Sequence, residues 1–308
     1  MILSRSSRGT LDPLSDVLSA LGVRSVRSTR FEASGDWALA FPGKARLKFV
    51  ALLRGRCWML LPDHPPEALT EGDVFLIGDT PYTVASDPAI APVDGAPFYA
   101  QPGHDVLRLG DGLQTGLLGG SVDFAEGDAA FLLEALPASL RVDRGSPGAG
   151  AVARTLACLD AEVGEDRPGA PLITDRLAEI LLVEAIRAYI AVGAEDRVGW
   201  IGALADRQVG AALRLMHGEV AEPWTVARLA ARVGMSRSAF SARFVARVGR
   251  PPLDYLTQWR MVLARRLLSV RKGRDPIASV AAEVGYSSQS AFAHAFKRTF
   301  GVPPRSVA

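Results

Sequence analysis

From Phe31 to about Val142 the chain is a series of short apolar runs broken by Gly, Pro and Asp. Trp37–Phe41, Leu47–Leu53, Cys57–Leu61, Val74–Ile77 and Tyr82–Ala85 are the clearest runs. Pro42-Gly43, Arg54-Gly55-Arg56, Pro62–Pro66, Glu71-Gly72-Asp73 and Gly78–Pro81 separate them. Runs of this length with turn residues between them predict the strands of a small sandwich or barrel. Arg54-Gly55, set between two apolar runs, predicts a hairpin. Near Ala129 the period changes. Phe131–Leu136 reads as a short helix stopped by Pro137. Residues 143–150 read as a linker, and 151–164 and 173–191 as helices.

The helix at 173–191 is apolar nearly all round, with Ile173, Leu177, Ile180, Leu181, Val183, Ile186 and Ile190 spread over its surface. Such a helix must bury more than one face. Two burials are open: packing between the barrel and the next domain, or a homodimer contact.

From about Ala205 the pattern is helical throughout and contains a repeat. Val226, Leu229, Ala230, Val233 and Gly234 correspond to Ile277, Val280, Ala281, Val284 and Gly285. One residue is then inserted. Ser238, Phe240, Phe244, Gly249 and Pro252 correspond to Ser290, Phe292, Phe296, Gly301 and Pro304. Each copy predicts a helix-turn-helix, over 226–248 and 277–300. A short helix closes at a Gly that can take φ > 0, and Ser236 or Ser288 caps the next helix. Phe240, Phe244 and Val248 form the apolar stripe of one second helix; Phe292, Phe296 and Phe300 form that of the other.

The residues opposite those stripes are small or hydrogen-bonding, which suits a helix entering the major groove. Arg237, Ser238, Ser241 and Ala242 are the base-reading candidates of the first helix. Gln289, Ser290 and His294 are those of the second. Arg243, Arg247, Lys297 and Arg298 are candidates to meet phosphates. Charge sharpens this reading. The 308 residues carry a formal net charge of only +2. Residues 206–308 hold 17 Arg or Lys against 6 Asp or Glu, a net of +11. The remainder holds 18 basic against 27 acidic residues, a net of −9. A basic end on a two-domain length points to nucleic acid.

Residues 209–304 resemble the C-terminal DNA-binding domain of the AraC family of bacterial transcription regulators. Trp224-Thr225-Val226, Gly234-Met235-Ser236-Arg237-Ser238-Ala239-Phe240, Pro251-Pro252, Gly285-Tyr286-Ser287 and Phe296–Pro304 carry the resemblance. It implies seven helices, with two recognition helices entering successive major grooves of a promoter. It also implies RNA polymerase as a partner. Family members often carry Arg where this chain has Ala242 and His294. About residues 11–195 are similar to the cupin-like sensor domain attached to one branch of these regulators. Trp37–Pro42, Phe49–Gly55 and Glu71–Leu76 carry that similarity. The expected fold class is α+β multidomain: an N-terminal cupin-like β-barrel with helices over 1–195, which binds an effector or dimerises, and an all-α domain over 206–308.

Cupin enzymes hold a metal with His and Glu ligands. Here His64 and His104 stand alone, and Tyr82 occupies a place where a cupin His is often found. No metal, cofactor or catalytic residue is therefore expected. The barrel instead reads as a pocket for an unknown small-molecule effector, with Trp37, Phe49, Trp58, Phe75 and Tyr82 as lining candidates. Two cysteines, Cys57 and Cys158, cannot build a disulfide framework. With no span of membrane length and no apolar signal core, a cytoplasmic protein with no membrane partner is expected. The function read here is sequence-specific transcriptional regulation. A metal-dependent cupin enzyme tethered to DNA and a non-specific architectural DNA binder are the alternatives.

Overall fold

The computed structural model describes residues 12–21, 23–44, 46–100, 105–112, 114–124, 129–163, 167–192, 198–271 and 276–307. They fall into two compact units. One holds residues 23–124 and 136–192. The other holds 198–307 together with 12–21 and 129–135. The division differs from a single cut between 195 and 206, because two short apolar segments from far upstream are packed into the helical unit.

The first unit is built on strands β1 (Val23–Ala33), β2 (Ala38–Phe41), β3 (Leu47–Arg54), β4 (Arg56–Leu60), β5 (Glu67–Thr70), β6 (Val74–Ile77), β7 (Tyr82–Ala85), β8 (Val93–Asp94), β9 (Val106–Leu109), β10 (Thr115–Phe124) and β11 (Ser139–Val142). They form a six-stranded sheet in the order β11-β6-β3-β10-β1-β9 and a five-stranded sheet in the order β5-β4-β7-β2-β8. Phe31, Val50, Leu52 and Phe75 of the larger sheet share one core with Leu39, Met59, Leu69 and Val84 of the smaller. The predicted hairpin at Arg54-Gly55 is corrected here. β3 and β4 lie in different sheets, so this turn is the corner at which the chain changes sheet. A glycine between two apolar runs signals either. At this corner Gly55 takes φ +83°, and a Cβ would sit 2.1 Å from the Gln114 carbonyl oxygen.

Helices α3 (Ala149–Glu162) and α4 (Ala170–Ala191) belong to the same unit. α4 covers the six-stranded sheet and packs along α3. That explains why it is apolar on more than one face. Its remaining face leaves Leu172, Ile173 and Ile180 exposed at 62%, 44% and 47%. Residues 143–148 form a tight turn, with the Ser146 N–H donating to the Asp143 carbonyl at 3.0 Å, and α3 follows at once.

The second unit is helical: α1 (Pro13–Leu21), α2 (Ala129–Leu133), α5 (Trp200–Ala203), α6 (Arg207–Gly218), α7 (Val226–Arg232), α8 (Arg237–Val248), α9 (Pro252–Arg271), α10 (Ile277–Glu283) and α11 (Gln289–Phe300). α1 buries Leu14, Val17 and Leu21, spaced three and four apart, against α6 and α9. Phe131 of α2 enters an aromatic cluster, its ring centroid 5.7 Å from Trp200, 5.6 Å from Tyr255 and 6.1 Å from Trp259. Buried His217 stacks on Trp259 at 4.2 Å, and its Nε2 lies 2.7 Å from the Tyr255 hydroxyl. Desolvation holds its pKa below the usual histidine range, against Asp16, which lies 3.7 Å from Nδ1.

Candidate nucleic-acid interface and barrel cavity

The two halves of the repeat fold alike. α7 and α10 each end in a glycine with positive φ, Gly234 at +71° and Gly285 at +86°. Ser236 Oγ then accepts from the Ala239 N–H at 3.3 Å, and Ser288 Oγ from the Ala291 N–H at 3.3 Å. These caps start α8 and α11 at equivalent places. Phe240, Phe244 and Val248 are buried, as are Phe292 and Phe296, so the stripes fix the rotation of each helix. α8 and α11 both pack on α9. Gly249 and Gly301 close the helices with φ +85° and +75°.

Rotation decides what faces outward. Arg237, Ser238 and Ala242 of α8 are exposed and Ser241 is half-buried. Gln289, Ser290 and His294 of α11 are exposed. Ser238 and Ser290 lie beside their own caps, with hydroxyl oxygens 3.4 Å from Ser236 and 2.9 Å from Ser288. Lys297 and Arg298 are exposed and form no ion pair among the described residues.

Arg243 and Arg247 are placed differently. Their Nε groups donate to Asp206 Oδ2 at 2.9 and 3.2 Å. Asp206 is buried and caps α6, accepting from the Gln208 and Val209 N–H groups at 3.0 Å each. Desolvation would raise its pKa, but the hydrogen bonds from Val209, Arg243 and Gln208 outweigh it and hold the carboxylate below its usual range. The two arginines lie 37 and 41 residues from Asp206, so residue spacing could not reveal the pair.

The sheet unit carries a cavity of about 640 Å³ that is partly open to solvent. Tyr82 lines it and stacks on Phe41 at 5.1 Å. The other aromatic candidates do not. Trp37 packs edge-on against Phe31 in the core at 4.7 Å. Phe75 is in the same core. Phe49 alternates to the opposite face from Lys48 and Val50, its ring filling the space beside Gly120. Trp58 faces away from its core-facing neighbours Cys57 and Met59. Residues that the sequence reading passed over line the cavity instead: Arg27, Lys44, Arg46 and Lys48. The signal was there, in a lysine inside the apolar run Leu47–Leu53.

A divalent metal does not fit this donor set. Tyr82 is neutral over the whole physiological range because desolvation raises its pKa, and Lys48 Nζ stands 5.0 Å from its ring. Among the described residues no three His, Cys, Asp or Glu side chains gather as metal ligands. His64 is exposed in a turn, and His104 lies outside the described residues. Buried Asp73 accepts from the Thr70 N–H and from Arg141, both at 2.8 Å, and so ties a turn to β11. Cys57 is buried, and desolvation followed by Asp73 pushes its thiol up to about 12, which makes it inert. No described helix is long and apolar enough to cross a membrane.

Comparison with known proteins agrees with both halves. A cupin family profile matches residues 12–191, and a helix-turn-helix domain profile matches residues 229–308. A protein of Streptomyces antibioticus described as an AraC-like transcription regulator is 39% identical over 296 residues, covering 96% of this chain and 97% of its own. The HTH-type transcriptional regulator AlkR of Acinetobacter baylyi is 30% identical over 305 residues, covering 96% and 98%. The DNA-binding domain of the global transcriptional factor AdpA, solved with a target DNA, is 31% identical with a TM-score of 0.31, over 33% of this chain and 88% of that one. The chain belongs to the AraC-like transcription regulators, with a cupin N-terminal domain and a helix-turn-helix DNA-binding domain.

Proposed function

We propose that α8 and α11 read two elements of one promoter site and that the barrel cavity binds the small molecule that controls this reading. The observation that carries the first part is the equivalence of the two cap-turn-helix units, both packed on α9. Arg237, Ser238, Ser241 and Ala242 face bases in one groove; Gln289, Ser290 and His294 face them in the next. Lys297 and Arg298 meet phosphates, while Arg243 and Arg247 hold α8 to Asp206. Ala242 offers only a methyl, which suits apolar contact with a thymine rather than readout of guanine.

The regulator acts in the cytoplasm, without a catalytic step or cofactor, by presenting bound promoter to RNA polymerase. A second copy docks through the Leu172, Ile173 and Ile180 face of α4. Selection from a random duplex pool tests the reading. The expected result is a recurring motif of two half-elements about 10.5 base pairs apart. No enrichment would mean an architectural binder. Ile180→Glu should leave selection intact and abolish dimers in sedimentation, whereas a monomeric wild type would remove the α4 contact.

A further inference from the structure

We propose that the barrel cavity takes a small amphipathic carboxylate, its charge held by Lys48 and Arg46 and its apolar body by Phe31, Val50 and Leu117. This rests on the effector reading above and adds the chemical class of the ligand.

The argument starts from Lys48. β3 is buried along nearly its whole length, and Lys48 lies inside it at 4% exposure. An ammonium has three donors. One reaches the Pro42 carbonyl at 2.8 Å. No carboxylate forms an ion pair with Lys48 among the described residues. Arg46 adds a second cation: its Nη1 is ion-paired with Asp123 at 3.7 Å, while its Nε is buried with no hydrogen-bond partner. Asp79 acts on Lys48 without forming an ion pair with it among the described residues. Lys44 stands exposed in the lining. Arg27 lies on β1, already tied to Asp105 at 3.0 Å. One carboxylate, Asp94, lines the cavity, and its Oδ1 already accepts from the Ala96 N–H at 2.9 Å.

A buried ammonium with no carboxylate at ion-pair distance is costly, and an anion entering the cavity offsets that cost. Burial, reinforced by Arg46 and Lys44, lowers the Lys48 pKa to about 8. The rest of the lining discriminates further. Phe31, Leu39, Val50, Val84 and Leu117 present no hydrogen-bonding side-chain atoms and form an apolar wall, while Thr29, Tyr82, Tyr99 and Ser121 place hydroxyls elsewhere in the lining. A plain hydrocarbon would leave Lys48 unpaired. An anion with one charged end and an apolar body satisfies both walls, and about 640 Å³ limits it to small-molecule size.

The test uses the full chain and two matched pairs of probes, 2-naphthoate with 2-naphthalenemethanol and octanoate with octanol, titrated calorimetrically and in a DNA-binding assay. Each acid should bind at least tenfold more tightly than its alcohol. Lys48→Met should erase that preference and leave the alcohols unchanged; Arg46→Gln should reduce it severalfold and serves if the first variant does not fold. Gly119→Leu, whose side chain enters beside Thr29 Oγ1, should block all four probes. Alcohols that bind as well as acids, acids that do not bind, or a Lys48→Met protein that keeps the preference would each overturn the ligand class. If acids bind preferentially but promoter affinity does not move, the site stands and the effector reading falls. If alcohols shift promoter affinity as acids do, the reverse holds.

Discussion

Thr29 of β1 lies directly opposite Gly119 of β10, and both line the barrel cavity. The same antiparallel pairing runs on to Val23 and Phe124. Beyond those two residues the chain leads to α1 on one side and α2 on the other, and both belong to the helical unit. A ligand that spreads or closes this strand pair therefore acts on the covalent roots of two segments packed around α6, α9 and the Trp200 cluster. Phe131→Leu should weaken that cluster by about 1–2 kcal/mol through lost ring stacking. Probe binding should stay within twofold, while the effect of the probe on promoter affinity is largely lost. Melting curves, calorimetry and promoter titrations read these three quantities. Unchanged coupling would show that α2 does not transmit the signal.

Asp206 makes a second prediction. Four donors converge on its carboxylate, two backbone and two guanidinium. Asp206→Ala removes a helix cap and frees two arginines that are partly solvated, so about 2–3 kcal/mol is expected. The pKa of this group is lower folded than unfolded. Its contribution is thus fully present above the usual aspartate value of about 3.9 and is lost as pH falls toward the folded value. Wild-type melts should lose stability from pH 5 to 3 more steeply than Asp206→Asn melts. Equal slopes would contradict the capping role.

Arginine placement also predicts how salt dependence divides. Lys297→Ala should lower the slope of log K against log salt by about 0.9 for one lost phosphate contact. Arg243→Ala should instead lower the melting temperature and leave the slope nearly unchanged. A slope change of equal size for both would return Arg243 to the phosphate interface.

The paired motif was legible because every signal in it is local. Gly234, Ser236 and the Phe240/Phe244 spacing sit within one or two helical turns, and a second copy repeats them. Strands β2, β3, β4, β6 and β7 were legible for the same reason, whereas β1, most of which precedes Phe31, and the Gly-containing β10 were not. What stayed hidden depends on distant partners or on rotation. Arg243 looks like any surface arginine until Asp206, 37 residues upstream, is placed beside it. The Gly55 corner and a hairpin share one sequence signature. Aromatic residues in such strands read as pocket walls, yet period-two alternation turns Phe49 and Trp58 outward and Lys48 and Val50 inward. A one-residue error in facing reverses that assignment. The joining of residues 12–21 and 129–135 to the helical unit is a matter of long-range packing with no local mark.

The two turn glycines should differ in cost. Both Gly234 and Gly285 take positive φ, so an alanine at either is strained by about 1–2 kcal/mol. Around Gly234 an added Cβ meets nothing within 4 Å. At Gly285 it would lie 2.9 Å from the Ala221 carbonyl oxygen and 2.7 Å from the Arg260 guanidinium. That guanidinium is itself held by the carbonyls of Val220 and Glu222 at 2.9 and 2.8 Å, so it cannot retreat freely. Gly285→Ala should therefore cost at least 1 kcal/mol more than Gly234→Ala and weaken the second half-element of the promoter selectively. Equal costs in chemical unfolding would remove the steric account.

Lys48 supplies the last prediction. Its pKa near 8 reflects burial first, then Arg46 and Lys44, with Asp79 opposing. Lys48 is a cation below about 8 and neutral above it, while a carboxylate probe stays ionised throughout. Binding of 2-naphthoate should thus weaken severalfold between pH 7 and 9, and binding of 2-naphthalenemethanol should not. Because the bound carboxylate favours the ammonium, its binding near pH 8 to 8.5 should take up a fraction of a proton. Calorimetry in buffers of different ionisation enthalpy measures that uptake. A pH-independent 2-naphthoate affinity, or uptake that survives in Lys48→Met, would place the proton on another group.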